Sequence, residues 1–434
     1  MPKASSPSRV QVDPALKSLL HAQEATLPNG LSVRLLVNHQ TPVVSLYTFF
    51  RVGSRDERPG LTGLSHLCEH LMFGGEGPAR RASRFDHVLE SNGGRSNAYT
   101  SPDMTVFRED FPTEALETVL ELEAERMRSP SLSEAVVERE RRVVMAERRA
   151  RVEGSPVGLM SEELNALAWK AHPYRWPVIG WMKDLEHLTR KDCEAHFRTY
   201  YVPGNAALYI SGDIDPDKVL AWVRRAYGDL PRRPRPAAVV DAEPPQRGER
   251  RAQLRLPVSA PAMMLAWRGP AARETEDTAA LDVLQYVLAK GNGGRLVRRL
   301  VYTERLALSV GLDWASRFDP GAFVVFLELK PGVEPRRVEE LLDEELARLV
   351  REGPSEHEMQ KARNNLRADL LRQLSTNSGR AYWLGLCEQL LGSWEAGLHV
   401  LSLYESIQGE QVREALARYL RPERRSVVTL LPGS

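Results

Sequence analysis

The residues of this chain whose types and spacing can do chemistry are His66-Leu67-Cys68-Glu69-His70. In a helix, His66 and His70 stand one turn apart, so both imidazoles leave the same face. Two imidazoles so placed can share one Zn²⁺ at ~2.0–2.1 Å. Glu69 lies beside that position, where a carboxylate can take a proton from water. The order is His-x-x-Glu-His, the reverse of the commoner His-Glu-x-x-His. Shuffled chains of this composition give roughly 0.02 such matches each, so chance explains it poorly. Leu61, Leu64, Leu67, Leu71, Met72 and Phe73 surround the motif, which predicts a half-buried site rather than two solvated histidines.

A catalytic zinc site takes a third protein ligand and keeps one position open. Glu140 and Glu147 lie seven residues apart on SEAVVERERRVVMAERR, two turns along one helix face. Either can serve, and spacing alone does not choose between them. Cys68, Cys193 and Cys387 are too scattered for a disulfide framework or a cysteine zinc site and read as buried small side chains.

The elements that must position these groups follow from the apolar pattern. Strands are expected in EATLPNGLSVRLLV, broken by the turn dipeptide Asn29-Gly30, and in PVVSLYTFFRVGS. Helical patterning runs from Pro59-Gly60 through Phe73 to a stop at Gly74-Gly75. A helix near 80–91, a turn at Gly93-Gly94 and a strand-like RSNAYTSPDMTVFRED come next. Helices over about 113–128 and 133–152 follow, separated by Ser129-Pro130-Ser131, with Ser133 as N-cap. A strand, NAALYISGD, and a helix near 216–227 close this half.

The second half repeats the first. Setting Gly53 on Gly269 gives an offset of 269 − 53 = 216, which places Gly75 on Gly291 and Gly77 on Gly293. The expected fold class is therefore α+β, two homologous α/β-sandwich domains from an internal duplication. A disordered tail over 1–20, a catalytic domain over 21–230, a Pro-rich linker over 231–250 and a supporting domain over 251–434 are expected. The same offset puts Asp282, Gln285 and Tyr286 opposite His66, Glu69 and His70, so the second domain carries no zinc motif.

Composition narrows the function. Fifty-nine Lys+Arg against 58 Asp+Glu leave a net charge of +1. That argues against a nucleic-acid binder working through a global positive field. No apolar run approaches the ~20 residues of a membrane helix. MPKASSPSRVQVDP lacks a signal-peptide core, so a cytoplasmic location is expected.

With those residues in view, the chain resembles the inverzincin peptidases of the pitrilysin/insulinase family, in particular the branch of mitochondrial processing peptidase subunits. Glu140-Arg141-Arg142-Val143-Val144-Met145-Ala146-Glu147 fits that family's Glu-Arg-x-x-Val-x-x-x-Glu. The resemblance implies a metallo-endopeptidase with one Zn²⁺ on His66, His70 and Glu147, Glu69 as general base, and Glu140 as a carboxylate behind the ligands. It also implies that Asn97, Ala98 and Tyr99, on an edge strand, and Phe73 meet an extended peptide substrate. HPYRWPVIGW and TYYVPGNAALYISGD read like family segments too.

One departure bears on partners. Members that act alone carry an Arg and a Tyr, seven apart, in the supporting half, where they steady the oxyanion. Val301 and Leu308 stand there, with Arg299 and Tyr302 as neighbours that could substitute from a shifted register. The resemblance then implies the catalytic half of a heterodimer whose homologous partner supplies that Arg/Tyr pair. The rivals are a non-catalytic core subunit of the same fold, and a dedicated precursor or leader-peptide processing protease.

Overall fold

A computed structural model of the chain describes residues 12, 14–73, 84–128, 130, 132–234, 236 and 243–433. Its first half builds a six-stranded sheet from β1 (Gln23–Thr26), β2 (Ser32–Val37), β3 (Val43–Phe50), β4 (Arg95–Thr100), β5 (Thr105–Pro112) and β6 (Ala206–Gly212). Its second half builds a five-stranded sheet from β7 (Arg250–Leu256), β8 (Ala262–Arg268), β9 (Ala307–Ala315), β10 (Ala322–Leu329) and β11 (Arg425–Pro432). The strand orders are β1-β2-β6-β3-β5-β4 and β7-β11-β8-β10-β9. Without β1 the two orders match position for position, and in both only the first of these pairings is parallel.

The 216 offset holds deep into the fold. Added to β5 it gives 321–328, against 322–329 for β10. Gly53 and Gly269 share a reason to be glycine: a Cβ would stand 2.3 Å from Ser101 O in one and 2.5 Å from the Trp314 ring in the other.

The halves are interlocked by exchanged helices. Pro156–Ala168 lies on β7, β8 and β11 of the second sheet, while Asn377–Leu391 lies on β3 and β6 of the first. These two helices follow the counterpart helices Glu134–Arg148 and Glu356–Leu374, and the 216 offset carries 156–168 to 372–384, which overlaps Asn377–Leu391 with a slip of a few residues. Met160 and Leu164 pack with Met264, Val428 and Leu430; Ala381 and Leu384 pack with Tyr47, Phe49 and Tyr209. Each sheet thus has its apolar second face covered by the other half.

Several sequence expectations need correction. The motif helix spans Leu64–Phe73 and does not begin at Pro59, because Gly60 and Gly63 adopt φ of +89° and +85°. That left-handed backbone cannot continue a helix. Residues 95–110 form the β4–β5 hairpin, not one strand. Of the tail expected over 1–20, Pro14–Leu19 is a helix whose Leu16, together with Leu20, is fully buried. Residues 1–11, Gly74-Gly75 and Gly77, the 80–83 part of the expected second helix, Ser129 and Ser131, and residues 235 and 237–242 of the linker lie outside the described residues. Ser133 sits at the N-cap position of the helix Glu134–Arg148, but its side chain makes no capping bond. Beyond Arg148 the chain widens into a π turn over Arg149–Glu153. The linker is not free along its length: the Glu243 carboxylate accepts the N–H groups of Lys170, Ala171 and His172 at 2.8–3.0 Å. All three cysteines are free and buried. Among the described residues no helix is long and apolar enough to cross a membrane.

Candidate active site

The motif helix enters through a cap supplied by Glu57, whose carboxylate accepts Gly63 N–H at 2.9 Å and Ser65 N–H at 2.7 Å. These otherwise orphaned donors favour the carboxylate, but burial outweighs them and pushes Glu57 up to about 8. Leu64, Leu67, Cys68 and Leu71 face the core, which turns His66 and His70 toward the helix Glu134–Arg148.

The sequence-predicted residues converge. His70 Nε2 lies 3.4 Å and His66 Nε2 3.9 Å from Glu147 Oε2. The side chains are mostly buried, 13% exposed for His66, 22% for His70 and 18% for Glu147. Of the two glutamates that spacing left open, Glu147 joins the histidines in one group whose donor atoms lie within 4.8 Å of one another. Glu140 stands behind, with Oε2 3.7 Å from His70 Nδ1. Two donors on one tetrahedral ion, each at ~2.1 Å, are roughly 3.4 Å apart, so this two-nitrogen, one-oxygen set fits zinc. The fit extends outward: ligating imidazoles commonly have a carboxylate facing their second nitrogen, the place that Glu140 takes beside His70. Among the described residues His66 Nδ1 is buried without a hydrogen-bond partner.

Charge tuning is consistent with that use. Burial, with the His70 and Arg151 charges adding, pulls His66 down to about 3, so its imidazole is neutral as ligation requires. Burial pulls His70 the same way but is outweighed by the Glu140, Glu69 and Glu147 carboxylates, which raise it. Glu69 is 8% exposed, and burial raises its carboxyl despite donation from Thr100.

Two contributors escaped the sequence reading. Thr100 Oγ1 donates to Glu69 Oε2 at 2.6 Å, and its backbone N–H faces the same carboxylate. Arg151 holds Glu147 Oε1 at 2.7 Å, leaving Oε2 for the histidines. The Arg151 signal was present as an i,i+4 acid–base pair; Thr100 gave none beyond its place in Asn97-Ala98-Tyr99-Thr100.

β4 is an edge strand beside the motif helix. Ser101 N–H bonds Met104 O, so the antiparallel alternation turns the N–H and C=O of Ser96, Ala98 and Thr100 outward. The Ala98 N–H is met by Asn97 Oδ1 at 2.9 Å. Tyr99 lies on the opposite face, near Tyr382 of the second half. Phe73 is placed differently from its neighbours: its ring packs on Phe107 at 5.6 Å and under the Arg126 guanidinium at 4.9 Å.

The second half keeps the scaffold without the cluster. Gln285, opposite Glu69, accepts the Trp314 N–H of edge strand β9 at 2.9 Å. Asp282 accepts Tyr404 OH at 3.0 Å, and burial raises it to about 7; Tyr286 donates to Asp369. Among the described residues no second group of three such side chains converges.

Residues 33–180 match the insulinase family of peptidases (M16), and residues 187–366 match the M16 inactive domain. A zinc protease, PqqE, of Helicobacter pylori is 31% identical over 374 residues, 84% of each chain. The chain belongs to the insulinase (M16) family. Within it, a probable mitochondrial-processing peptidase subunit beta of Arabidopsis thaliana is 24% identical, over 91% of this chain and 75% of that one. The crystal structure of a protease from Helicobacter pylori superposes with a TM-score of 0.89 at 28% identity, covering 95% of this chain and 99% of that one. The second M16 match begins at 187, ahead of β6, which lies inside the first sheet.

Proposed function

We propose that this M16 chain is the catalytic subunit of a zinc metallo-endopeptidase acting on extended peptides. The observation that carries the reading is the convergence of His66 Nε2, His70 Nε2 and Glu147 Oε2 beside a carboxylate, Glu69, hung from the edge strand by Thr100.

His66, His70 and Glu147 would hold the ion. Bound there, zinc supplies Lewis acidity that polarises a carbonyl and acidifies water. Glu69 takes the proton from the attacking water and returns it to the leaving amine. Its burial keeps the carboxyl basic enough for that task, and Thr100 fixes its orientation. Glu140 and Arg151 hold His70 and Glu147 from behind. The outward-facing main chain of β4 at Ala98, whose N–H would have to leave Asn97 Oδ1, suits β-augmentation by an extended substrate, where main-chain bonds give affinity that tolerates sequence.

A homologous partner supplying an Arg/Tyr pair fits the second half. Leu308 is 50% exposed and Val301 packs against the core, so neither is a donor. Arg299 is engaged by Glu304 at 3.0 Å and Glu344 at 3.2 Å. Losing one oxyanion donor typically lowers the rate ~10²–10³-fold.

The test is hydrolysis of unstructured peptides by the purified chain, alone and with an M16 subunit carrying the pair, with zinc content read on the same sample. Glu69→Gln should retain zinc and lose cleavage. Cleavage retained by Glu69→Gln would remove it as the base. A zinc-loaded chain that cleaves equally well alone and paired would refute the heterodimer.

A further inference from the structure

Away from the candidate active site, the first half carries an open groove of about 770 Å³. It lies between the end of the helix Leu116–Arg128, the helix Arg190–Tyr200 and residues 230–233. Its floor is apolar and buried, made by Met127, Phe197, Tyr201, Val202 and Leu230. Its rim carries four exposed guanidiniums: Arg128, Arg190, Arg198 and Arg233.

The rim is neutralised only in part. Arg128 pairs with Asp229 at 2.6 Å and Arg190 with Glu194 at 2.7 Å. Arg233 donates to the Arg198 carbonyl at 3.0 Å, bringing these two residues together. Among the described residues neither the Arg198 nor the Arg233 guanidinium has a carboxylate partner. Two guanidiniums without a carboxylate partner on one groove rim offer sites for carboxylates, which arginine binds through two parallel N–H donors. The whole chain has a net charge of only +1, so this excess is local rather than a general field.

We propose that this groove docks an extended acidic peptide segment with an apolar side chain between its acidic positions. Arginine with a buried apolar and aromatic floor is the composition of protein-binding surfaces, from which lysine is depleted. The spacing agrees with an extended chain. Arg190, which would exchange Glu194 for the peptide's carboxylate, and Arg198 are separated by about 12 Å of helix rise. Acidic residues four apart on an extended strand are separated by about 13 Å. This inference is independent of the peptidase reading.

The experiment uses the full chain carrying Glu69→Gln, so that no hydrolysis competes, and a fluorescent dodecapeptide with glutamates four apart around a central leucine. Its twin has glutamine at each glutamate. The acidic peptide should bind at least tenfold tighter than the twin, and more weakly as salt rises. Arg198→Gln with Arg233→Gln should weaken binding at least tenfold at unchanged Tm. Equal binding of the twins, or full binding by the double variant, overturns the proposal. Arginine-dependent binding to phosphatidylglycerol vesicles without peptide binding would overturn it in favour of a lipid surface.

Discussion

Asp103 and Asp319 occupy the same place in the two halves of the duplication, 319 − 103 = 216, and both reach one guanidinium. Arg55 lies 3.5 Å from Asp103 and 3.2 Å from Asp319. Each aspartate sits in the hairpin that follows the edge strand of its sheet. The joint is closed by Tyr174, whose OH donates to Asp103 and accepts the Asp319 N–H, and by His172 Nε2, 3.1 Å from Asp319. The first hairpin also begins one residue after Thr100, which holds Glu69. The second half therefore braces the strand on which the candidate base hangs. That gives the second half a mechanical task at the candidate site.

Arg55→Met should be among the most damaging single substitutions outside the motif. It strands two carboxylates, 7% and 22% exposed, with no cation between them. Breaking a buried pair from one side costs about 3–5 kcal/mol. A urea midpoint shift worth less than ~1 kcal/mol would show that the joint is not where the halves are held.

Legibility tracked locality. The motif helix and the second glutamate helix were readable because their ligand spacings lie within a few helical turns. The duplication was readable because neither Gly53 nor Gly269 has room for a Cβ, the first against the Ser101 carbonyl and the second against the Trp314 ring. Which glutamate faces the histidines was not readable from spacing, since Glu140 and Glu147 share a helix face and only tertiary packing decides between them. The Thr100–Glu69 bond was hidden for the same reason: 31 residues separate partners that meet only once β4 is paired. The exchange of Pro156–Ala168 for Asn377–Leu391 was also invisible, because an apolar stripe states that a helix is covered, not by which sheet. The polar composition of residues 1–20 concealed Leu16 and Leu20, an i,i+4 pair that packs with Leu370, Leu374 and Leu384.

Acid lability should trace in part to His196. It is buried on the helix Arg190–Tyr200, 3.2 Å from Ser65 Oγ, and burial lowers it from 6.5 to about 3. The folded state then binds fewer protons than the unfolded state between those values. The associated stability is complete above about pH 6.5 and is lost as pH falls toward 3. His196→Gln keeps a polar partner for Ser65 but cannot ionise, so its stability should fall less steeply between pH 6.5 and 4. Parallel slopes for the two proteins would clear His196 of the effect.

The seam between the exchanged helix and the first sheet should be intolerant of one methyl group. A Cβ on Gly385 would lie 2.2 Å from Phe49 Cε2, and Phe49 is itself fixed edge-on against Tyr209. Gly385→Ala is expected to cost about 1–3 kcal/mol by overpacking. An unchanged Tm would mean that the helix stands off the sheet in solution.

The two glutamates provide the sharpest separation of ligand from support. Glu147 presents Oε2 to both imidazoles while Arg151 holds Oε1, so Glu147→Gln replaces a charged donor with a neutral amide in the first contact with the ion. Glu140 touches only His70 Nδ1, at 3.7 Å, and is itself bonded by Arg139 at 2.9 Å. Removing such an outer carboxylate typically costs about 10–100-fold in metal affinity. Competition against a chromophoric chelator should therefore show Glu140→Gln within that range and Glu147→Gln weaker still. His70 gives an internal check. With Glu140 neutralised, a carboxylate that favours its imidazolium is gone, so in the metal-free protein His70 should titrate at lower pH. If Glu140→Gln loses zinc more completely than Glu147→Gln, the roles are reversed and the helix must rotate to present Glu140 to the ion.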